Sequence, residues 1–333
     1  MYKINFKGDN LKKILKYLII ILTILIVIAA AGFFAFQQYY HKTSYEEFEA
    51  VDTTEQTEEE KEQSELDEKY AKLKRVNILV AGIEGERTDT LMVFSYDKES
   101  NIIDIISVPR DTYVDYGYKD AGRKKINAVY GYPDNKGGIK ATANAVSKVL
   151  SVPIHEYISV DYDGVKEVVD AIDGVEVDIP FNMRYDDPYA QPPLHINLKK
   201  GTQVLDGEKA IQFLRWRKNN SGSLGAEGDL GRIKRQQEFV IAAIKKAIQP
   251  SNLTSAITIG LKNTKTSMDL KEAMYFASKL ANIKDENINA YSVVGEDEII
   301  DGIWYFKHDA KSTKELVRNL YLGIKPKIED GQD

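Results

Sequence analysis

The sequence predicts a mixed α/β (α+β) fold, with a central mixed sheet flanked by helices behind one N-terminal transmembrane helix. Apolar runs rich in β-branched residues alternate with segments of helical periodicity, and one long uncharged run precedes them all. The 333 residues are 43% hydrophobic and 29% charged, which excludes collagen-like, disulfide-rich and wholly disordered proteins. The chain has no cysteine, so a thiol nucleophile, a thiolate metal site and an iron–sulfur cluster are excluded as well.

The first 36 residues predict a basic cytoplasmic tail and a membrane anchor. Residues 1–16 carry five lysines and one aspartate, whereas residues 17–36 carry no charge. As a helix, residues 17–36 span ~30 Å, the thickness of a hydrocarbon core. Because the positive charge precedes this run, we expect the tail in the cytoplasm and the rest of the chain outside the cell. A cleaved signal peptide is the alternative, but the run exceeds the ~7–15 apolar residues of a signal core.

Residues 37–75 predict an acidic extracellular stalk. Between 43 and 75 there are twelve acidic and five basic side chains with few large apolar ones, so this segment cannot fold alone. Residues 76–325 follow as one extracellular domain, and 326–333 form a polar C-terminal tail. Residues 76–333 carry a net charge of about −4, which argues against duplex nucleic acid as a partner, since binding a phosphate backbone needs a basic face.

Strands and helices are predicted to interleave along this extracellular domain. Short β-rich runs predict strands at 76–83, 91–96, 102–108, 157–160, 175–179, 288–294 and 299–305. Helical spacing of apolar residues predicts helices at 138–150, 162–172, 207–216, 233–248, 270–281 and 313–321. We therefore expect a central sheet covered by helices.

Several common catalytic motifs are absent from the sequence. It contains no P-loop, no GxGxxG after a strand and no GxSxG, which leaves nucleotide binding and a serine-hydrolase elbow without support. Its four histidines are scattered and lack the spacing of zinc ligands. A zinc enzyme and a Ser-His-Asp hydrolase are therefore not expected.

Arginine and carboxylate side chains are concentrated instead at the ends of predicted strands and helices. These residues are Arg87, Asp89, Arg110, Asp111, Arg215, Arg217, Asp229, Arg232 and Arg235. Guanidinium groups bind phosphate oxygens bidentately, and carboxylates bind Mg²⁺ or Mn²⁺ that bridges phosphates. The pattern indicates a pyrophosphate site with a divalent metal; ordinary arginine–aspartate ion pairs at loop ends are the alternative.

A set of motifs in this region resembles the LytR-CpsA-Psr family of bacterial cell-wall proteins, over about residues 76–249. In chain order they are RTDT (87–90), PRD (109–111), KIN (125–127), RWRK (215–218) and GDLGRIKRQ (228–236). The resemblance implies a transferase that moves a glycopolymer from a polyprenyl-pyrophosphate carrier to N-acetylmuramic acid of peptidoglycan. The glycopolymer would be teichoic acid, a capsular polymer or another secondary wall polymer. These partners, the cell membrane and a Gram-positive origin are what the resemblance implies.

The resemblance also implies roles for individual residues. It implies that Asp89 and Glu84 bind Mg²⁺ or Mn²⁺, although the family usually has aspartate at the position of Glu84. The implied pyrophosphate-binding residues are Arg87, Arg110, Arg215, Arg217, Arg232, Arg235 and Gln236. Asp89, Arg110, Arg215 and Arg217 are expected to be catalytic, and the supporting residues are Asp111, Lys125, Asn127 and Asp229. Asp89 or Asp111 is a candidate general base; alternatively, Asp111 is a turn residue or an ion-pair partner that fixes Arg110.

Two other functions stay open at this point. A hydrolase would use the same site with water as the acceptor. A binding or scaffold protein would hold the lipid-linked polymer without chemistry, and Glu84 in place of aspartate fits such a weakened metal site. The predicted membrane span and external domain argue against direct DNA contact.

Overall fold

The fold is described from a computed structural model for residues 75–190, 193–220, 228–281 and 283–324. The predicted tail 1–16, membrane helix 17–36, C-terminal tail 326–333 and all of the stalk except Arg75 lie outside these residues. None of the helices in the described part of the chain combines the length and hydrophobicity that membrane crossing needs.

Twelve strands and seven α-helices are described. The strands are β1 (Arg75–Glu84), β2 (Arg87–Asp97), β3 (Ile102–Ser107), β4 (Glu156–Asp161), β5 (Val175–Ile179), β6 (Met183–Asp187), β7 (Leu194–Leu198), β8 (Gly201–Leu205), β9 (Thr264–Thr266), β10 (Ile288–Ser292), β11 (Gly295–Ile300) and β12 (Ile303–His308). The helices are α1 (Ile139–Leu150), α2 (Tyr162–Ala171), α3 (Gly207–Arg215), α4 (Gly228–Ala247), α5 (Leu253–Asn263), α6 (Leu270–Leu280) and α7 (Ala310–Tyr321).

Six of the strands form a central mixed sheet in the order β10-β3-β2-β1-β4-β9. β1, β2 and β3 pair antiparallel, whereas β4 runs parallel to β1 and β10 runs parallel to β3. The carboxyl ends of β1, β3 and β4 therefore meet at one edge of the sheet, together with the amino end of β2. The predicted central sheet flanked by helices is confirmed for the described residues.

Apolar side chains alternate along the strands and cover both faces of the sheet. On one face Leu79, Val93 and Ile106 pack in a core with α1 and α7, and on the other Met92 and Ile105 pack with α4 and α6. Full burial of each such side chain contributes about 1.5–3 kcal/mol, so the two-sided core holds the sheet edge in place.

A separate apolar cluster forms beside the sheet. It joins α2 and α3 to two strand pairs, β5–β8 and β6–β7, and Trp216 at its centre is fully buried. Because Trp216 directly follows α3, its burial fixes where the end of that helix lies. This cluster positions the residues that flank Trp216.

The predicted elements differ from the structure in a few places. Residues 299–305 are not one strand but parts of the β11–β12 hairpin, which turns at Asp301 and Gly302 with φ of 52° and 77°. Asp-Gly is a favoured two-residue turn, so the sequence carried this signal. The helix predicted at 233–248 begins at Gly228. Strands β6 to β9 and helix α5 were not predicted.

Arg75, which the sequence placed in the stalk, is the first residue of β1. Its side chain is 2% exposed and donates to Asp104 Oδ2 at 2.7 Å and to the Leu320 carbonyl at 2.9 Å. Asp104 is itself 3% exposed, so both charges of this pair are out of water. A buried charge without its partner is strongly destabilising.

We therefore expect Arg75→Met to lower the free energy of unfolding by about 3–5 kcal/mol, because Asp104 loses its cation. Urea unfolding of a soluble form that begins at residue 70 measures the effect. Arg318→Met is the control, since Arg318 is exposed on α7 and its loss should cost under about 0.5 kcal/mol. Equal stability of the two variants would contradict the buried ion pair.

Candidate functional site

A cleft of about 460 Å³ lies at the sheet edge where β1, β3 and β4 end. Among the described residues, five basic and three acidic side chains line it: Arg110, Arg215, Arg217, Lys218 and Arg232, with Glu84, Asp89 and Asp187. Apolar side chains line other parts of its wall, namely Val160, Val165, Leu194 and Leu214. The cleft therefore combines an excess of positive charge with an apolar surface.

A β-bulge at Asp89 orients its side chain into the cleft. In the β1–β2 pair Gly82 lies opposite Thr90 and Ile83 lies opposite Thr88, which leaves Asp89 as the extra residue. A bulge interrupts the alternation of side chains between two faces. Asp89 and its neighbour Thr90 consequently both line the cleft, while Thr88 is fully buried.

Asp89 is held by two neighbours from other elements. Arg110 Nη1 lies 2.5 Å from Asp89 Oδ1, and the Tyr162 hydroxyl donates to Asp89 Oδ2 at 3.0 Å. Burial alone would raise the pKa of Asp89, but hydrogen bonding with Glu84 and the charge of Arg110 hold that pKa well below its usual range. Asp89 is therefore ionised at neutral pH.

Glu84 and Arg215 form a second ion pair in the same cleft. Arg215 Nη2 lies 2.9 Å from Glu84 Oε1, and the guanidinium of Arg215 stacks 4.8 Å above the ring centre of Tyr162. Burial and the adjacent carboxylate of Asp89 raise the pKa of Glu84, and Arg215 opposes this only in part. The pKa values of Glu84 and Asp89 shift in opposite directions because the two carboxyl groups lie close together in the same cleft.

These two carboxyl groups are oxygen donors of the kind that bind Mg²⁺. Among the described residues, no group of three or more His, Cys, Asp or Glu side chains is arranged to hold a metal ion. Mg²⁺, however, is often bound by one or two carboxylates, with water and substrate phosphates completing its octahedron. Glu84 and Asp89 therefore fit a divalent cation that arrives with a pyrophosphate.

Helix α4 contributes to the cleft from one face. Arg232 and Gln236 lie one turn apart and both line the cleft, where Arg232 is 4% exposed. Arg235 is also buried but is not part of the cleft lining. Its guanidinium lies 4.7 Å from the ring centre of Trp216 and donates to the Trp216 carbonyl at 3.5 Å.

The structure thus brings most of the predicted site together. The cleft contains Glu84, Asp89, Arg110, Arg215, Arg217, Arg232 and Gln236. Arg235, which is predicted to bind the pyrophosphate, lies outside the cleft lining and packs on Trp216. Asp229 lies in the first turn of α4, and its side chain is outside the described part of the chain.

Arg87, which is also predicted to bind the pyrophosphate, lies outside the cleft lining. Its Nη1 donates to Asn127 Oδ1 at 2.9 Å and to the Gly122 carbonyl at 3.3 Å. The physical reason is the bulge at Asp89, which breaks the two-residue period that would have put residues 87 and 89 on one face.

The predicted supporting residues surround the segment that carries Arg110. The backbone N–H of Asn127 donates to the Arg110 carbonyl at 3.1 Å, and Lys125 Nζ lies 3.1 Å from Asp111 Oδ1. Asp111 does not line the cleft. Its position therefore favours the ion-pair role over that of a general base.

Sequence reasoning missed several residues of the cleft. Tyr162, Thr90, Asp187 and Lys218 all line it. For Tyr162 a signal existed, because it directly follows a strand whose carboxyl end reaches the same edge as that of β1. In sheets of this kind, ligands bind beyond the carboxyl ends of the strands.

The chain matches a known protein family over most of its length. The profile of the LytR_cpsA_psr family matches residues 39–321, most of the chain. The chain belongs to the LytR_cpsA_psr family. A relative from Bacillus subtilis (strain 168), named polyisoprenyl-teichoic acid–peptidoglycan teichoic acid transferase TagV, is 30% identical over 275 residues, which are 78% of this chain and 68% of TagV. TagU of Bacillus anthracis, with the corresponding name, is 33% identical over 264 residues, or 76% and 80% of the two chains.

Solved structures of LytR_cpsA_psr relatives share the fold. The crystal structure of B. subtilis TagV has a TM-score of 0.61 and 28% identity, over 76% of this chain and 99% of that one. The structure titled TagT bound to LIIa-WTA has a TM-score of 0.58 and 25% identity, over 75% of this chain and 91% of that one. The central sheet and its helices are therefore shared with these proteins.

The geometry predicts which arginines bind an anion. Arg110→Gln should weaken the binding of inorganic pyrophosphate about tenfold or more, because a charge-assisted hydrogen bond in the cleft is lost. Isothermal titration calorimetry measures the change. Arg87→Gln is the matched control, since Arg87 lies outside the cleft, and we expect unchanged affinity. A larger loss with Arg87→Gln than with Arg110→Gln would place the anion site at Arg87 instead.

Proposed function

We propose that this LytR_cpsA_psr protein is a membrane-tethered transferase that moves a glycopolymer from a polyprenyl-pyrophosphate carrier to peptidoglycan. The observation that carries the proposal is one cleft in which two carboxylate–arginine pairs, Asp89–Arg110 and Glu84–Arg215, lie beside further basic side chains. Relatives whose names state a teichoic acid transferase activity support the same reaction class. We propose N-acetylmuramic acid as the acceptor, joined through its 6-hydroxyl in a phosphodiester bond.

The basic part and the apolar part of the cleft match the two parts of a lipid-linked pyrophosphate, its phosphates and its lipid. Basic side chains would bind the pyrophosphate oxygens, and the apolar residues Val160, Val165 and Leu214 would contact the first isoprene units of the carrier. The predicted anchor at 17–36 would confine the enzyme to the membrane that holds the carrier. This raises the effective concentration of the two partners.

Catalysis would depend on positively charged side chains held around the pyrophosphate. As the pyrophosphate breaks, negative charge increases on the oxygens around phosphorus and on the leaving lipid phosphate. Arg110, Arg215, Arg217 and Arg232 would stabilise this charge more in the transition state than in the ground state. A Mg²⁺ or Mn²⁺ ion held by Asp89 and Glu84 would neutralise further charge on the phosphate oxygens.

The acceptor hydroxyl must lose a proton during transfer. Of the two carboxylates that the sequence offered as a general base, only Asp89 lines the cleft. Its low pKa makes it a weak base. A loose phosphoryl-transfer transition state needs little activation of the nucleophile, so we assign Asp89 the late acceptance of this proton.

Transfer is tested with the full-length protein in detergent, a short polyprenyl-pyrophosphate saccharide, Mg²⁺ and uncrosslinked peptidoglycan oligomers. Mass spectrometry should detect a phosphate-linked saccharide–peptidoglycan adduct. Arg110→Ala should lower its rate about 10²-fold or more, since a group that stabilises transition-state charge is lost. Free saccharide phosphate without adduct would indicate the hydrolase, and unchanged bound substrate would indicate a binding protein.

The carboxylate pair predicts a metal dependence that calorimetry can measure without turnover. Asp89→Asn and Glu84→Gln should each weaken Mn²⁺ binding in the presence of inorganic pyrophosphate by about tenfold or more, since each removes a charged ligand. Asp111→Asn is the control, because Asp111 pairs with Lys125 outside the cleft. Full transfer activity in EDTA would contradict the assignment of a metal.

A further inference from the structure

Tyr162 contacts a member of each carboxylate–arginine pair in the cleft. Its hydroxyl donates to Asp89 Oδ2 at 3.0 Å, while Arg110 holds the other oxygen of the same carboxylate. Its ring lies 4.8 Å beneath the guanidinium of Arg215, which pairs with Glu84. Tyr162 therefore joins two ion pairs that arise from different strands and helices.

The backbone at Tyr162 is held firmly. Tyr162 is the first residue of α2, and the preceding Asp161 caps this helix by accepting a hydrogen bond from the Gly164 amide at 2.9 Å. Asp161 also lies opposite Ile83 in the parallel pair of β4 and β1. The position of the ring is thus fixed by the sheet on one side and by the helix start on the other.

We propose that Tyr162 is a positioning residue for the transfer reaction, which acts through Asp89 and Arg215. The hydroxyl keeps the carboxylate of Asp89 in one rotamer, with Oδ1 toward Arg110 in the free protein and toward the cation when a metal pyrophosphate is bound. The ring supports the guanidinium of Arg215 by a cation–π contact, so that its remaining N–H groups face the cleft. This inference rests on the proposed function, because it assigns a role to these pairs in binding a metal pyrophosphate.

Tyr162→Phe separates the hydroxyl from the ring. We expect kcat to fall about five- to tenfold with the KM for the lipid donor within about twofold, since one hydrogen bond to a charged group is lost. The affinity for Mn²⁺ in the presence of pyrophosphate should fall about fivefold. Pyrophosphate affinity in metal-free buffer should stay within about twofold, since the ring still supports Arg215.

Tyr162→Leu removes the ring as well. Pyrophosphate affinity in metal-free buffer should then fall about fivefold below that of Tyr162→Phe, because Arg215 loses its aromatic support. Equal affinities of the two variants would overturn the role of the ring. If Tyr162→Leu does not fold, the comparison of Tyr162→Phe with wild type still decides the role of the hydroxyl.

Tyr96→Phe is the matched control. Tyr96 is a buried tyrosine of β2, and its hydroxyl donates to Asn101 Oδ1 at 3.1 Å, outside the cleft lining. It should leave kcat and both affinities unchanged, even where it lowers the melting temperature. If Tyr96→Phe and Tyr162→Phe lowered kcat and Mn²⁺ affinity equally, Tyr162 would have only a structural role.

The affinity measurements keep this inference separate from the transferase itself. If wild type shows no transfer, the proposed function fails, while the Mn²⁺ and pyrophosphate affinities still test the positioning role. If wild type transfers and Tyr162→Phe matches it in kcat and in Mn²⁺ affinity, the positioning role of the hydroxyl fails and the transferase stands.

Discussion

The cleft depends on the pairing of arginine with carboxylate at one edge of the sheet. Arg110 and Arg215 lie in a partly desolvated space with Arg232 nearby, and such charges repel one another unless anions compensate them. Asp89 and Glu84 provide that compensation in the free protein. On the proposed function, a metal pyrophosphate would exchange these partners: the cation would take the carboxylates and the phosphates would take the guanidinium groups. The charges of these two pairs would stay compensated before and after binding.

The fold brings segments that are distant in sequence to one edge of the central sheet. β1, β3 and β4 all end there, so Glu84, Arg110 and Tyr162 meet although they are far apart in sequence. Two apolar cores pack against the two faces of the sheet. The cluster around Trp216 fixes the end of α3, which carries Arg215. The positions of the charged groups are therefore determined by apolar packing away from the cleft.

Much of this arrangement could be predicted from sequence. Periodicity predicted the strands of the central sheet except β9, and the clustering of arginine and aspartate at element ends predicted five of the eight charged side chains in the described lining of the cleft. The placement of Arg87 could not be predicted, because a single bulge at Asp89 changes which face each side chain occupies. Arg235 shows a second limit: one-turn spacing on a helix does not reveal that a buried tryptophan competes for the guanidinium. Strands β6 and β7 were missed because charged and polar residues dominate β6 and turn signals surround both.

A crystal structure of the protein with Mn²⁺ and a short polyprenyl-pyrophosphate saccharide tests the exchange of partners most directly. We expect an anomalous manganese peak beside Glu84 and Asp89. We also expect pyrophosphate oxygens on Arg110, Arg215 and Arg232, with both of the original ion pairs opened. Pyrophosphate bound at Arg87, or in the cleft with Asp89–Arg110 and Glu84–Arg215 still paired and no manganese beside them, would contradict the exchange of partners.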